Sequence, residues 1–241
     1  MIHKVYPSLN DFENLSRLKV QSSEFANNFD YRNVVVNKPW GYEYLWYQND
    51  NVAIWFLYIK KGSSTSLHCH AKKRTSLIVL DGEIICTSLD DKYKLLNFDT
   101  IVLEPCVFHS SMSTSENGSY IMEIETPPMK GDLVRMNDSY GRENSGYENT
   151  NEYSKDFDLY DFIPFEDQKS KNWEFRNLEI QLVNGSINFS KNTQMIVPIS
   201  GNIESNIKVE FECGEAFSID EEIFSTIKKN NKYQFLIFNK K

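Results

Sequence analysis

The sequence predicts an all-β protein. Between residues 33 and 126, short runs rich in Val, Ile, Tyr and Phe alternate with turn-forming Asn, Asp and Gly residues, and this pattern returns after residue 173. Many short strands at such spacing are typical of a β-sandwich or barrel. Residues 9–30 differ, because Asn10 and Glu13 have the spacing of a capping box. We therefore expect a short helix in an N-terminal arm, residues 1–32.

The first β-rich part predicts one barrel over residues 33–128. Asp81-Gly82 and Asn117-Gly118 are strong hairpin signals between its apolar runs. The predicted strand-bearing runs are 33–48, 51–60, 76–88, 92–98, 99–105 and 119–126.

Residues 129–172 interrupt this pattern. Pro127-Pro128 ends the last strand, and a polar stretch rich in Tyr and Asn follows. We expect a connecting strap with one short helix near 155–162, since an irregular segment of this length is usually functional or packed against the domain.

The second β-rich part, residues 173–241, contains a weak internal repeat. LIVLDGEI at 77–84 resembles MIVPISGNI at 195–203, and FDTIVLEP at 98–105 resembles GEAFSIDEE at 214–222. Two landmarks in the same order predict a duplicated barrel. The second copy contains no histidine, so two equivalent histidine sites are excluded.

Composition limits the class of function. A formal net charge of −8 argues against a nucleic-acid partner, for which a basic surface is expected. No apolar run is long enough to cross a membrane, and the start lacks the apolar core of a signal peptide. Four cysteines occur without a CxxC pair, which favours reduced thiols and a cytoplasmic location.

Three of the four histidines predict a metal site. His68 and His70 are two residues apart on a predicted strand, so both imidazoles point to the same side. His109 follows the predicted strand 99–105, from which it could meet the same point. Imidazole is a common ligand of Zn, Fe, Ni and Cu. The alternative is a barrel that has lost its metal and keeps the histidines in its core.

These histidines resemble the two motifs of the cupin superfamily. Gly62, five residues, His68-x-His70 and Gly82 match the first motif, and DTIVLEPCVFH, which ends at His109, matches the strand and histidine of the second. The resemblance covers roughly residues 36–126. It implies a double-stranded β-helix barrel with one divalent metal ion (Zn, Mn, Fe or Ni) bound by the three histidines. With the repeat, it implies a bicupin whose second barrel is degenerate.

The chain departs from both motifs. Thr75 stands where the first motif has a glutamate ligand, and Glu104, Cys106 and Ser113 stand where the second has Pro, Gly and Asn. Three neutral histidines still form an open metal site. Such a site would be more positive than usual, which suits an anionic substrate oxygen as the fourth ligand.

Two segments resemble mannose-6-phosphate isomerase-type sugar-phosphate cupins. KPWGYEY at 38–44 implies that Trp40 packs near a sugar and that Glu43 points inward. In ETPPMKGDLVRMNDSYGREN at 125–144, Arg135 and Arg142 are candidates for phosphate binding, because guanidinium groups suit bidentate contacts. The alternatives are a buried Trp in a turn, and arginines that pair with nearby carboxylates to secure the strap.

Catalytic groups are expected beside the metal. Glu123 and Glu125 share one face of a strand, which is either the barrel interior, where one could act as a base or replace the lost ligand, or the solvent side. Arg74 is a further candidate because it adjoins the missing glutamate. We expect Lys72 and Lys73 in a solvated turn.

The resemblance implies a metal-dependent isomerase or epimerase of a sugar phosphate or nucleotide sugar, acting in bacterial surface polysaccharide biosynthesis. The expected partner is a small anionic sugar, with a second copy of the chain possible in a homodimer. Two other functions stay open: a non-catalytic carbohydrate-binding cupin, and a three-histidine cupin dioxygenase.

Overall fold

A computed structural model describes residues 1–18, 26, 28–141, 152–163, 172–185, 192–200, 203–204, 210–218 and 233–241. In chain order the elements are β1 (Ile2–Val5), α1 (Leu9–Arg17), β2 (Val35–Lys38), β3 (Gly41–Gln48), β4 (Ala53–Ile59), β5 (Leu67–Cys69), β6 (Arg74–Asp81), β7 (Ile84–Ser88), β8 (Lys92–Leu95), β9 (Thr100–Leu103), β10 (His109–Ser113), β11 (Ser119–Thr126), β12 (Val134–Asn137), β13 (Tyr153–Ser154), a 3-10 helix (Phe157–Leu159), β14 (Asn172–Phe175), β15 (Leu178–Asn184), β16 (Thr193–Pro198), β17 (Ile203–Glu204), β18 (Glu210–Phe211), β19 (Phe217–Ser218) and β20 (Gln234–Lys240). The predicted all-β class is confirmed.

Strands β4 to β11 form a jelly-roll barrel. The order β9-β6-β11-β4 lies within an eight-stranded sheet, and the order β5-β10-β7-β8 lies within a five-stranded sheet. Consecutive strands thus pass repeatedly between the two sheets, as in an eight-stranded jelly roll, the architecture that cupins share. The first barrel therefore has the predicted double-stranded β-helix fold.

Side-chain alternation along these strands separates two cores. Residues such as Leu57, Leu77 and Ile121 fill the barrel interior, whereas Phe56 and Met122, one residue out of phase, lie in a second buried cluster outside it. Successive strand residues face opposite sides of a sheet, so β2, β3, β4, β6 and β11 of the large sheet contribute to both cores.

The N-terminal arm contributes more than the predicted helix. Strand β1 pairs in parallel with β9 at the edge of the large sheet. Helix α1 begins two residues before the predicted position, because the capping box is formed by Ser8 and Asp11 and not by Asn10 and Glu13. The predicted pair was wrong because Ser8, preceded by Pro7, supplies the extended N-cap backbone that starts the helix.

The predicted strap is partly strand. Strand β12 joins the small sheet beside β5, and β13 pairs with β2 at the edge of the large sheet. The short helix expected near 155–162 is the 3-10 helix Phe157–Leu159.

The second half repeats the strand order of the large sheet. Its five-stranded sheet has the order β19-β16-β20-β15-β14, which matches β9-β6-β11-β4-β3 strand by strand. The ribbon β17–β18 follows β16 as the hairpin β7–β8 follows β6. This correspondence supports the duplication predicted from the two sequence landmarks, although residues 201–202 and 219–222 of those landmarks lie outside the described residues.

The large sheets of the two halves share one apolar core. Rings from the first half meet rings from the second, with centroids 4.7 Å apart for Trp46 and Trp173 and 5.4 Å apart for Phe56 and Phe175. Leu236 and Phe238 from β20 lie in the same buried cluster. Among the residues described, no helix is long and apolar enough to cross a membrane.

Candidate metal centre

Two neighbouring strands of the small sheet bring the histidines together. His109 of β10 is the direct cross-strand partner of His68 on β5, so their side chains emerge on the same side. His70 lies two residues beyond His68 and returns to that side. The ring centroids are 4.5 Å apart for His68 and His109, 5.0 Å for His68 and His70, and 5.5 Å for His70 and His109. The predicted convergence of the three imidazoles is thus present.

Each ring is held by a hydrogen bond from its Nδ1–H to a backbone carbonyl oxygen. The acceptors are Ser66 for His68 at 2.8 Å, Asp132 for His70 at 2.5 Å and Val107 for His109 at 3.0 Å. A carbonyl can only accept, so Nδ1 carries the proton and Nε2 keeps its lone pair. This arrangement orients a metal-ligating histidine.

The ligand atoms of the three rings lie within 4.8 Å of one another. His70 Nε2 is buried and has no hydrogen-bond partner among the described residues. A buried nitrogen lone pair without a partner is costly, and a shared cation would satisfy it. The donor set therefore fits one divalent metal ion, with Nε2 of each ring as the ligand atom.

Burial also prepares the rings chemically. Desolvation lowers the pKa of His109 to about 4. Desolvation also holds the pKa values of His68 and His70 well below their usual range, and the proximity of His109 and Lys73 lowers them further. All three rings are neutral at pH 7, which is the form that binds metal.

Asp132 supports the site from behind. Its carboxylate, 5 % exposed as a residue, accepts hydrogen bonds from the backbone N–H groups of Ala71, Lys72 and Lys73 at 3.2, 2.8 and 3.0 Å. Its carbonyl oxygen is the acceptor that orients His70. One residue thus fixes both His70, the second predicted ligand of the β5 segment, and the turn that follows it.

Asp11 anchors the backbone next to His109 in a similar way. It is buried in helix α1, and its Oδ1 accepts the backbone N–H of Phe108 at 2.9 Å. The turn before His109 has a further constraint at Cys106, which has a φ of 75° where the family motif has glycine, and whose N–H donates to the carbonyl of His70 at 2.7 Å. Cys69, between two predicted ligands, points away into a small apolar cluster with Phe108.

A cavity opens beside the histidines, with about 500 Å³ of empty space including its mouth. Residues of both sheets and of the segment after β11 line it: Lys38, Trp40, Glu43, Leu57, Thr65, Ser66, His68, His70, Lys73, Glu123, Glu125, Lys130, Leu133 and Arg135. Five residues predicted on separate grounds are therefore brought together here: Trp40, Glu43, Glu123, Glu125 and Arg135. Their roles stay predictions.

Register explains how Arg135 reaches the cavity. It is the cross-strand partner of His68 on the side opposite His109, so the three side chains form a row across β10, β5 and β12. Its Nε donates to Ser66 Oγ at 3.3 Å, and the residue is 6 % exposed. The guanidinium is therefore a buried cation next to the predicted metal site.

Strand β11 directs Glu123 and Glu125 into the barrel. Ile121, on the same face, belongs to the interior core, while Ile124 lies on the outer face. Glu123 Oε1 lies 3.9 Å from His70 Nε2, and burial, reinforced by the neighbouring Glu125 and opposed by the nearby lysines, raises the pKa of Glu123 to about 7. The interior alternative for these glutamates is the one observed.

Five side chains of alternating charge, one of which is Glu125, lie along the cavity wall, and we call them the ion row. In order they are Lys73, Glu125, Lys130, Glu43 and Lys38, with nitrogen–oxygen distances of 2.6, 3.9, 2.8 and 3.4 Å. Lys130 also lies over the Trp55 ring, 3.5 Å from its centroid. Burial opposes the charged form of Glu43, but Lys130 and Lys38 outweigh it and keep its pKa below the usual range.

Two expectations from sequence are corrected. Lys73 is 1 % exposed and belongs to the ion row, so it does not lie in a solvated turn. Arg74 points away from the cavity, since it shares the outer face of β6 with Ser76, and it contacts Glu212, Glu215 at 3.1 Å and the carbonyl of Cys213. Strand alternation therefore makes Arg74 a link to the second half and not a catalytic group.

The remaining departures are local. Arg142 lies outside the described residues. Thr75, at the position of the motif glutamate, is fully buried, and its hydroxyl forms no hydrogen bond with the residues described above. Its cross-strand partner on β11 is Glu125, so carboxylates absent from β6 are supplied by the adjacent strand.

Sequence reasoning missed Lys38, Lys130 and Asp132. Alternation could have identified Lys38, because it shares a strand face with the interior residue Val36. Lys130 and Asp132 follow the strand ladder in an irregular segment, so no periodicity gives their direction.

Comparison with protein-family models gives no match, and comparison with curated proteins gives none either. Solved structures do match parts of the chain. KdgF from Halomonas sp. is 15 % identical with a TM-score of 0.36, over 38 % of this chain and 83 % of that one. An RmlC-like cupin from Shewanella frigidimarina is 18 % identical with a TM-score of 0.37, over 45 % of this chain and 95 % of that one.

A third match is the capsular polysaccharide assembling protein CapF from Staphylococcus aureus, at 14 % identity and a TM-score of 0.39. It covers 46 % of this chain, which corresponds to only 33 % of CapF. The matched structures thus include cupin and double-stranded β-helix proteins. The fold of this chain is established by its own strand order.

Proposed function

We propose that this chain is a metal-dependent cupin enzyme that acts on a small anionic sugar by removing a carbon-bound proton, which is returned to the adjacent carbon in an isomerisation or to the opposite face of the same carbon in an epimerisation. One observation carries the proposal: three neutral imidazoles, each oriented through Nδ1, have their ligand atoms within 4.8 Å of one another, beside a charged cavity that His68 and His70 line. His68, His70 and His109 would hold the ion. A divalent metal bound there would polarise a carbonyl or hydroxyl oxygen of the sugar.

Glu123 is the better placed of the two candidate bases. Its carboxylate is beside His70, so a sugar carbon next to a metal-bound oxygen would lie within its reach. Glu125 is committed to Lys73 at 2.6 Å and is 1 % exposed. Glu123 therefore takes the proton from one carbon and returns it to the adjacent carbon, as isomerisation requires, while Glu125 fixes the ammonium beside it.

The cavity favours a monosaccharide over a nucleotide sugar. The space of about 500 Å³ includes open solvent at the mouth, so the enclosed part is smaller than the pockets of roughly 300–1,000 Å³ that bury drug-sized ligands. Arg135 offers a cation on the small sheet, and Trp40 offers an apolar surface on the opposite wall, close to Lys38. We therefore propose a sugar phosphate or sugar acid as the substrate. The resemblance to sugar-phosphate cupins suggests surface polysaccharide synthesis as the setting.

Metal binding is the first test. Purified protein, stripped with a chelator and titrated with Zn²⁺, Mn²⁺, Fe²⁺ and Ni²⁺ in a calorimeter, should bind one equivalent. His70→Ala and His109→Ala should each weaken binding by roughly a hundredfold or more, because each removes one of three ligands. His3→Ala is the matched control, since His3 lies on β1 against Tyr93. Equal metal affinity in His70→Ala and His3→Ala would refute the metal site.

Proton transfer is the second test. Metal-loaded protein in D₂O should catalyse exchange of a carbon-bound hydrogen in one member of a panel of sugar phosphates and sugar acids, followed by NMR. Glu123→Gln should abolish the exchange and still bind metal, whereas Glu116→Gln, an exposed glutamate paired with Lys61, should leave it unchanged. Ligand binding without exchange across the panel would favour a non-catalytic carbohydrate-binding protein.

The donor set also favours testing oxygen chemistry. Three histidines without a carboxylate resemble the ligands of the thiol dioxygenases, and the described cluster is of this kind. Oxygen consumption by the iron-loaded protein with a thiol substrate, lost in His109→Ala, would replace the isomerase by that function.

A further inference from the structure

The ammonium of Lys73 is a buried cation with donors to spare. Its Nζ donates to Glu125 Oε1 at 2.6 Å, and the residue is 1 % exposed. An ammonium has three N–H donors. In the part of the chain that the structure describes, Nζ makes no second hydrogen bond, although it lines the same cavity as His68 and His70. Two buried donors therefore have no acceptor within the described part of the chain, and a ligand is the natural acceptor for them.

Glu125, the ion-pair partner of Lys73, is also incompletely hydrogen-bonded. Glu125 Oε2 is buried, and no residue that the structure describes forms a hydrogen bond with it. Glu125 thus neutralises Lys73 through one oxygen only, and does not enclose it. A purely structural ion pair would be expected to satisfy its remaining groups, because unsatisfied buried charges are strongly unfavourable.

The position of Lys73 is fixed relative to the metal ligands. Asp132 accepts the backbone N–H of Lys73 with its carboxylate and orients His70 with its carbonyl oxygen. Asp132 therefore positions both the His70 imidazole and the turn 71–73, which carries the Lys73 ammonium. This coupling is what a ligand bridging metal and lysine would require.

Charge determines the kind of ligand. Four cationic side chains and three carboxylates line the described cavity: Lys38, Lys73, Lys130 and Arg135 against Glu43, Glu123 and Glu125. A divalent metal would add two further positive charges. The balance of the occupied site is then clearly positive, so an oxyanion is favoured over a neutral hydroxyl.

We infer that Lys73 is a specificity-determining residue that, together with the metal ion, selects a substrate oxyanion at the open coordination position. The oxyanion is a carboxylate or phosphate of the sugar, bound between the metal and the two free N–H groups of Lys73. This inference rests on the proposed metal-dependent function and adds the group of the substrate that is recognised. It also explains why a lysine is buried where the sequence pattern predicts a solvated turn.

Removing the lysine has opposite effects on metal and on anion. A nearby ammonium disfavours a divalent cation and favours an anion, so its loss strengthens metal binding and weakens anion binding. A structural role would instead weaken both, since a disturbed turn would misplace His70. The sign of the change in metal affinity therefore separates specificity from scaffolding.

The experiment compares Glu125→Gln with the double variant Lys73→Met/Glu125→Gln. The pair differs only in the ammonium, and neither leaves a buried carboxylate unpaired at position 125. Zn²⁺ affinity is measured by calorimetry, and glucuronate, glucose 6-phosphate and glucose are then titrated into the metal-loaded proteins. Loss of the ammonium should raise Zn²⁺ affinity several-fold and weaken the preferred oxyanion by roughly tenfold or more, with glucose unchanged.

Which oxyanion responds identifies the group as carboxylate or phosphate. Oxyanion affinities within twofold of each other in the two variants, with metal bound, would overturn the inference and leave the proposed function intact. An equal loss of glucose binding would also overturn it, because Lys73 would then serve a hydroxyl. No metal binding by the wild-type protein would instead refute the proposed function.

The wild-type protein provides a second measurement that needs no folded variant. If metal and oxyanion share a site, the preferred oxyanion must raise Zn²⁺ affinity by the same factor as Zn²⁺ raises oxyanion affinity. Glucose should give no such coupling. Absence of coupling for both oxyanions would contradict the inference even if the double variant did not fold.

Discussion

Replacing Asp132 by Asn should damage stability and metal binding together. The carboxylate accepts three backbone N–H groups, two through Oδ2 at 2.8 and 3.0 Å and one through Oδ1 at 3.2 Å. The amide keeps one acceptor oxygen, so one of these bonds is lost and the other two lose their charge assistance. Hydrogen bonds to charged groups contribute about 1.5–3 kcal/mol each, against about 1 kcal/mol for neutral ones. The free energy of unfolding should therefore fall by roughly 3 kcal/mol.

Metal affinity should fall as well, because the turn beyond His70 loses its anchor. Loss of an outer-shell partner typically weakens metal binding by about 10–100-fold. Urea denaturation of the metal-free protein gives the first quantity and Zn²⁺ calorimetry the second, with the exposed Asp158→Asn as control. A variant within about 0.5 kcal/mol of wild type and with unchanged Zn²⁺ affinity would refute the role assigned to Asp132.

Three further outcomes follow from buried groups. The metal-free protein should lose stability as the pH falls from 6.5 toward 4.5, since the unfolded chain then protonates three histidines that the fold keeps neutral. Glu123, with its pKa raised to about 7, is already protonated in the folded protein and offsets one of these protons. The remaining two protons, at about 1.4 kcal/mol each per pH unit, give a slope of up to about 3 kcal/mol per pH unit in urea denaturation, and a flat profile would contradict this. Thr75→Val should raise the free energy of unfolding by about 1 kcal/mol, because the hydroxyl it removes is buried without a partner; a loss of stability in thermal or urea unfolding would argue against that. Arg74→Met should lower stability by about 1–2 kcal/mol through the lost contacts with the second half and leave Zn²⁺ affinity unchanged, whereas weaker metal binding would return Arg74 to the site.

The barrel and its three ligands could be predicted because they depend on local regularities. Alternation and turn chemistry specify strands such as β6 and β11, and His68 and His70 are two residues apart on one strand. His109 required one assumption, that a neighbouring strand lies beside β5, and the register confirms it.

The cavity wall could not be predicted to the same extent, since it depends on contacts distant in sequence. Lys73 reads as part of a polar turn, and only the carboxylates of Asp132 and Glu125, 59 and 52 residues away, draw it inside. Arg74 reads as adjacent to the site, yet strand alternation turns it toward Glu215 in the second half. Lys73, predicted in solvent, thus lies in the cavity, and Arg74, predicted at the site, lies outside it. In both cases the tertiary partners outweigh local polarity.

The covered outer face of the first barrel has a consequence for assembly. An isolated jelly roll with Phe56 and Met122 exposed would tend to associate with a second molecule, and that association would weaken on dilution. Here the tethered repeat supplies Phe175 and Phe238 to the same surface within one polypeptide. The contact between the two halves is intramolecular and therefore independent of concentration. Any self-association must use other surfaces.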